Sequence, residues 1–138
     1  MTEYLDLDDL QFIILRGLGQ KPEVLVRDWG LLESAVHRPA SVVFGTEAYP
    51  SLDTKAAALL HSIVKNHPLL DGNKRLAWLS TRLFYAKNDR DLHVKDAQHV
   101  DEYIREIASG KHDLEEIAGF LSSLLVEFPR DIPVGRNP

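Results

Sequence analysis

The chain has 138 residues, a net charge of −5 at neutral pH and no cysteine. This length is enough to bury one hydrophobic core, so we expect a single domain. The lack of cysteine excludes disulfide frameworks, thiolate zinc sites and cysteine nucleophiles, and the acidic balance argues against a protein that binds nucleic acid or an anionic membrane through many cations.

The sequence also has no pattern typical of a membrane span or of a secretion signal. No apolar run approaches the roughly 20 residues that a bilayer span requires. The first residues are acidic, whereas a signal peptide begins with basic ones. We therefore expect a cytoplasmic protein without a membrane partner.

Capping residues and apolar periodicity predict the first helices. Asp6 is expected to cap a helix that ends near Gly17, and Asp28 a second one that Pro39 stops. Ser51 should cap a third helix, which ends at His67 because Pro68 follows. This third helix has one apolar stripe, and Lys55, Ser62 and Lys65 are predicted to lie outside it; the stripe consists of Ala56, Leu59, Leu60, Ile63 and Val64.

Residues 40–50, which we call the flap, have no helical period. The cluster of β-branched residues, together with Gly45 and Pro50, which often interrupt regular structure, indicates an irregular surface loop. This loop precedes the helix that leads to the most polar connector of the chain. A site for an extended substrate segment and an ordinary variable loop are equally good interpretations of it.

Three more amphipathic helices follow. The first is expected from Asn73 to Lys87, the second ends at Gly110, and the third runs through Leu125 and ends before Pro129. The fold class predicted is therefore all-α, a compact helical bundle with the flap ahead of the helix that ends at His67. We expect the domain to span residues 1–129 and residues 130–138 to form a flexible tail.

Residues 67–75, with the sequence HPLLDGNKR, join two helices, and we call them the motif loop. Gly72 and Asn73 stand at a helix start, where free backbone N–H groups and a partial positive charge favour a bound phosphate. Gly72 lets an anion approach the backbone closely, and Lys74 and Arg75 add two cations. These four residues are the predicted phosphate contacts.

The same loop also carries groups for chemistry. His67 can accept a proton near neutral pH and is the candidate general base. Asp71 offers a hard oxygen ligand beside the phosphate site, as Mg²⁺ requires. His37, His61, His93, His99 and His112 have no metal-ligand spacing and are interpreted as surface or hydrogen-bonded histidines.

The motif loop resembles the signature of the Fic/Doc family: a histidine, an apolar anchor, an acidic residue, a small residue, asparagine, a variable residue and arginine. Leu69 stands where the anchor is usually phenylalanine. The segments RDWGLLESA at 27–35, RP at 38–39, YPSL at 49–52 and KAAALL at 55–60 are similar to the Doc branch of the family. The family's fold is all-α.

The resemblance implies a transferase that uses ATP and Mg²⁺. Fic proteins that transfer adenylate usually have glycine at the position of Lys74 and a second arginine at that of Trp78. Doc toxins lack both and pass the γ-phosphate of ATP to a threonine of elongation factor Tu, which blocks translation. By resemblance, His67 is the base, Asp71 the Mg²⁺ ligand, and Asn73, Lys74 and Arg75 contact phosphate.

Two alternatives stay open, namely adenylate or another nucleotidyl transfer to a protein hydroxyl, and a non-catalytic binding module with the same fold. Ser123 and Glu127 weakly resemble a self-inhibitory Fic motif, but the pair is better interpreted as an ordinary helix surface. Without such a brake, the resemblance implies a Phd-like antitoxin whose disordered tail folds onto the toxin.

Overall fold

The computed structural model describes residues 1–127, and helix α4 (Leu52–Asn66) lies at its centre. Helices α3 (Trp29–His37), α5 (Asn73–Lys87), α6 (Ala97–Ala108) and α7 (Leu114–Leu124) pack against it. The consecutive small and apolar residues 56–60 are all buried, so α4 contacts the core over most of its circumference. The predicted all-α class and helical bundle are confirmed, with short strands in addition.

The N-terminal helices begin at the predicted caps. Helix α1 (Leu7–Gly17) follows Asp6, whose carboxylate accepts a hydrogen bond from the N–H of Asp9. The carboxylate of Asp28 accepts one from Leu31 at the start of α3. A short helix, α2 (Pro22–Leu25), lies between them and was not predicted.

The flap is a hairpin. A 3₁₀ turn (Arg38–Ala40) leads into strand β1 (Val42–Val43), which pairs antiparallel with β2 (Thr46–Glu47). The two turn residues between the strands have positive φ, 51° at Phe44 and 79° at Gly45, as in tight two-residue hairpins. The prediction that this segment is not helical is confirmed, but it is more regular than a loop.

The flap covers the side of α4 that carries Lys55 and Ser62, so the prediction that these residues lie outside the buried surface is wrong. The side chain of Lys55 is 2% exposed, and its ammonium donates to Glu47 Oε1 at 2.8 Å and to the carbonyl of Tyr49. Ser62 Oγ accepts a hydrogen bond from Arg38 at 2.9 Å. Polar partners make the burial of both side chains possible: residues of the flap for Lys55, and Arg38, just before the flap, for Ser62.

A second small sheet closes the C-terminal part. Strand β3 (Arg90–Leu92) pairs antiparallel with β4 (Leu125–Glu127), and Leu92 lies opposite Leu125. Helix α7 therefore ends at Leu124, and the prediction that this helix includes Leu125 is wrong. The predicted boundary at 129 and the predicted tail at 130–138 lie outside the described residues. Within residues 1–127, no helix has the length and apolar character needed to cross a membrane.

Candidate active site

A cavity of about 790 Å³ lies between the motif loop and helix α6. All six residues singled out from the sequence line it: His67, Asp71, Gly72, Asn73, Lys74 and Arg75. The candidate base, the carboxylate and the predicted phosphate contacts are thus on one surface. The close spacing of these residues in the chain is matched by their proximity in space.

His67 occupies the position that ends helix α4. Its backbone is left-handed, with φ 50° and ψ 63°, and its side chain is exposed at the cavity. The predicted end of the helix is therefore confirmed. Sequence reasoning missed Arg27, whose Nε donates to the carbonyl of His67 at 2.9 Å and whose Nη2 donates to that of Asn66 at 3.0 Å.

Helix α5 begins at the motif loop without a side-chain cap. Its N-cap is Gly72 with φ 85°, and its first turn closes with a hydrogen bond from the N–H of Leu76 to the carbonyl of Gly72 at 2.9 Å. The N–H groups of residues 73–75 precede this bond and have no partner within the helix. The start of α5 therefore has N–H groups without a partner within the helix, and the binding of an anion there stays a prediction.

Two contacts fix the shape of the motif loop. Asn73 Oδ1 accepts from the N–H of Leu69 at 2.9 Å, and its Nδ2 donates to the carbonyl of the same residue at 3.0 Å. Leu69 is 1% exposed, so it is the apolar anchor expected at this position. The side chain of Asn73 thus holds the loop, and a contact between that side chain and phosphate stays a prediction.

Comparison with known proteins shows the family of the chain. The model of the Fic/DOC family matches residues 2–85, more than half of the chain. A protein named Toxin Doc from Mycolicibacterium smegmatis is 42% identical over 123 residues, which cover 88% of this chain and 93% of that relative. The chain belongs to the Fic/Doc family.

The two cationic residues of the motif loop, Lys74 and Arg75, have different neighbours. Lys74 Nζ lies 3.7 Å from Asp101 Oδ1 on α6, and Arg105 Nε lies 2.9 Å from the other oxygen of this carboxylate. Arg75 Nε donates to the carbonyl of Gly17 at 3.3 Å. Exposed ion pairs contribute only about 0–1 kcal/mol, so a phosphate can displace Asp101 from Lys74 at little cost.

Helix α6 forms the opposite wall of the cavity, beyond the part of the chain that the family model matches. Val100 and Ile104 are apolar and buried, whereas Asp101 and Arg105 are polar, and all four line the cavity. Sequence reasoning placed α6 correctly but missed its role here. The signal was the spacing of Asp101 and Arg105, which puts both on the face that also carries Ala97 and Ala108.

The carboxylate of Asp71 fits a metal ligand. Within residues 1–127, it has no hydrogen-bond or ion-pair partner, so its oxygens are open. The same residues contain no group of three or more acidic or histidine side chains that could hold a metal ion alone. Such a site suits a cation that is held jointly by one carboxylate, phosphate oxygens and water, which is the usual coordination of Mg²⁺.

Two of the remaining histidines are held by polar partners, as the sequence predicted. His61 Nδ1 lies 3.0 Å from Arg38 Nη1, and His112 Nε2 lies 2.7 Å from Glu106 Oε1. The interpretation of Ser123 and Glu127 as one helix surface is wrong, because Ser123 is on α7 and Glu127 is in strand β4.

Proposed function

We propose that this protein is the toxin of a toxin–antitoxin pair and transfers the γ-phosphate of ATP to a serine or threonine hydroxyl of a protein. The observation that carries the proposal is the cavity itself. His67, the uncapped start of α5 and the cations Lys74 and Arg75 line the same space of about 790 Å³. A general base and a phosphate site are the two parts that phosphoryl transfer needs.

The chemistry follows from these groups. The imidazole of His67 takes the proton of the attacking hydroxyl, whose oxygen forms a bond to the γ-phosphorus while the bond from that phosphorus to the bridging oxygen breaks. ADP leaves with the electron pair of the broken bond. The N–H groups of residues 73–75, together with Lys74 and Arg75, stabilise the charge on the phosphoryl oxygens.

Mg²⁺ would be held by Asp71 and the phosphates, and would neutralise charge on the nucleotide. The open carboxylate of Asp71 supports this assignment. We expect Asp71→Asn to raise the Mg²⁺ concentration needed for half-maximal rate. A titration of Mg²⁺ at fixed ATP tests this assignment, and an unchanged requirement for Mg²⁺ would contradict it.

Phosphate transfer is favoured over adenylate transfer by two positions. Lys74 places a long cation where adenylate-transferring relatives have glycine, and Trp78 stands where they have a second arginine. Both residues line the cavity, so both affect how the nucleotide phosphates bind. Adenylate transfer is the second candidate, because Gly72 at the start of α5 stands where Doc toxins often have alanine and is nearer to the Fic form of the loop.

Two labelled nucleotides separate these reactions. The protein is incubated with a cell extract and either γ-labelled or α-labelled ATP, and the label on protein is measured. Phosphoryl transfer labels protein only from γ-labelled ATP. Label transferred from α-labelled ATP would replace the kinase proposal by adenylate transfer.

A non-catalytic module would act by binding alone. We expect His67→Ala to reduce the transfer rate by about 100-fold or more and to abolish growth inhibition on expression. His93→Ala is the matched control, because His93 is exposed and does not line the cavity. Growth inhibition that survives His67→Ala would favour the binding module.

The partners proposed are a Phd-like antitoxin and, as target, elongation factor Tu in the cytoplasm. Their support is the similarity to a protein named Toxin Doc. Purified elongation factor Tu should accept γ-label in the presence of the wild-type protein and not with His67→Ala. Co-expression with a small acidic protein encoded beside this gene should restore growth.

A further inference from the structure

The carbonyl end of helix α4 is bound by the side chain of Arg27. The guanidinium donates from Nε to His67 and from Nη2 to Asn66, at 2.9 and 3.0 Å. The last carbonyls of a helix have no N–H donor within the helix, and a cation at this end is favourable. One arginine therefore satisfies two adjacent carbonyls with two donors of a rigid plane.

The backbone that Arg27 binds is not in a relaxed conformation. His67 has φ 50° and ψ 63°, and the left-handed region costs a residue with a Cβ about 1–2 kcal/mol. Such a conformation persists only when the surroundings impose it. Because φ and ψ set the direction of the Cα–Cβ bond, they also set where the imidazole lies.

Main-chain bonds hold the next residues on both sides of the peptide, whereas His67 has one only through its N–H, which donates to the carbonyl of Ile63 at 3.2 Å. The N–H groups of Arg27 and Asp28 both donate to the carbonyl of Pro68, at 2.8 and 3.2 Å, and the N–H of Leu70 donates to the carbonyl of Leu25 at 2.9 Å. The carbonyl of His67 is bound by the Arg27 side chain instead. Arg27 thus supplies the hydrogen bond to the main-chain carbonyl of His67, the residue whose imidazole is the proposed base.

We propose that Arg27 is a positioning residue for the transfer reaction. Its guanidinium holds the main chain of His67 in the left-handed conformation that keeps the imidazole at the cavity. Arg27 is not among the residues that line the cavity, so it acts through His67 and not on the nucleotide. This inference rests on the proposed function of His67 as general base.

Three variants test the role of Arg27. Arg27→Gln removes the charge and the paired donors, and Arg27→Lys keeps the charge but has no planar fork. Arg82→Gln is the matched control, because Arg82 is also exposed and forms a single ion pair with Asp91 at 3.5 Å away from the cavity. Steady-state kinetics give kcat and the KM for ATP, and calorimetry gives the Kd for ATP.

We expect Arg27→Gln to lower kcat by about 10- to 100-fold, since small displacements of a catalytic group have effects of this size. The KM and Kd for ATP should stay within about twofold, because the phosphate contacts come from α5. Arg27→Lys should lower kcat nearly as much, and Arg82→Gln should leave it unchanged. Circular dichroism establishes that each variant is folded at the assay temperature.

The outcomes separate this inference from the proposed function. A wild-type protein without transfer activity, or one whose activity survives His67→Ala, would remove the proposed function itself. With an active wild type, an unchanged kcat in folded Arg27→Gln or Arg27→Lys overturns the positioning role. A fall in kcat that matches the unfolded fraction of both variants overturns it too, since Arg27 would then only stabilise the fold.

Discussion

The motif loop and the flap both connect to helix α4, one at each end, but they are held in different ways. The motif loop has contacts along its length, from Arg27 at His67, from Leu25 at Leu70 and from Asn73 at Leu69. The flap is held at its base by Arg38 and Lys55, and its turn projects into solvent. The main chain of the residues proposed for the chemistry is thus fixed by contacts with other parts of the fold, whereas the turn of the flap is exposed to solvent.

Glycines in the two regions give the sharpest test of this difference. Gly72 and Gly45 have similar backbones, with φ 85° and 79°, but a Cβ at Gly72 would lie 2.8 Å from Leu18 Cδ2 and one at Gly45 would meet nothing within 4 Å. Gly72→Val should cost about 3 kcal/mol of unfolding free energy, from backbone strain and overpacking, and reduce transfer to the level of His67→Ala. Thermal unfolding and the labelling assay measure both effects.

Gly45→Val is the control, because a side chain there has the same backbone strain but meets no neighbouring atom within 4 Å. We expect it to cost about 1–2 kcal/mol and to leave transfer to a small peptide hydroxyl intact. Equal losses of activity in the two variants would show that the two regions do not differ as described.

The buried end of the flap is tested at Lys55. Lys55→Met keeps the apolar stem but leaves the carbonyl of Tyr49 without this donor, which should cost about 2 kcal/mol of unfolding free energy. Transfer to a protein target should fall several-fold, while the Kd for ATP stays the same. Lys65→Met on the exposed side of α4 is the control, and a changed Kd for ATP in Lys55→Met would mean that the flap and the motif loop are coupled.

The base of the flap should also make stability depend on pH. Burial, with smaller contributions from Arg38 and Lys65, lowers the pKa of His61 below its ordinary value of 6.5. A lowered pKa in the folded state stabilises the protein above pH 6.5, and this contribution is lost as pH falls through the folded-state value. Denaturant unfolding at about pH 7.5 and about pH 5.5 should show a smaller difference in stability for His61→Gln than for the wild type.

The tip of the flap gives the smallest effect on stability. Phe44 is fully exposed, so Phe44→Ser should change the unfolding free energy by less than about 0.5 kcal/mol. If the flap contacts the protein target, the KM for that target rises several-fold and the KM for ATP is unchanged. Identical kinetics for both substrates would favour the interpretation of the flap as an ordinary variable loop.

Local signals predicted the helices well and the tertiary contacts poorly. Asp6, Asp28 and Ser51 cap their helices as expected, because a cap depends on neighbours a few residues away. Leu125 fitted the apolar period of α7, yet it pairs with Leu92, which lies far away in the chain. A pairing between residues so far apart in the chain cannot be inferred from a local sequence pattern.

The candidate site follows the same rule. The residues of the motif loop were predictable because they adjoin in sequence and their chemistry is concentrated there. Arg27, Asp101 and Arg105 were not, since each reaches the site from another element. Lys55 was misjudged for the same reason: a lysine is expected in water unless a distant segment supplies its partners, as the flap does here.

The bonds between residues 25–28 and 66–70 join parts of the chain that are about forty positions apart. A peptide that comprised only α4, the motif loop and α5 would contain every residue of the family signature without the partners that shape it. During synthesis the newly made chain would likewise lack one side of its cavity until residues 97–108 had left the ribosome. The cavity that holds the proposed site is thus complete only after helix α6 has been translated.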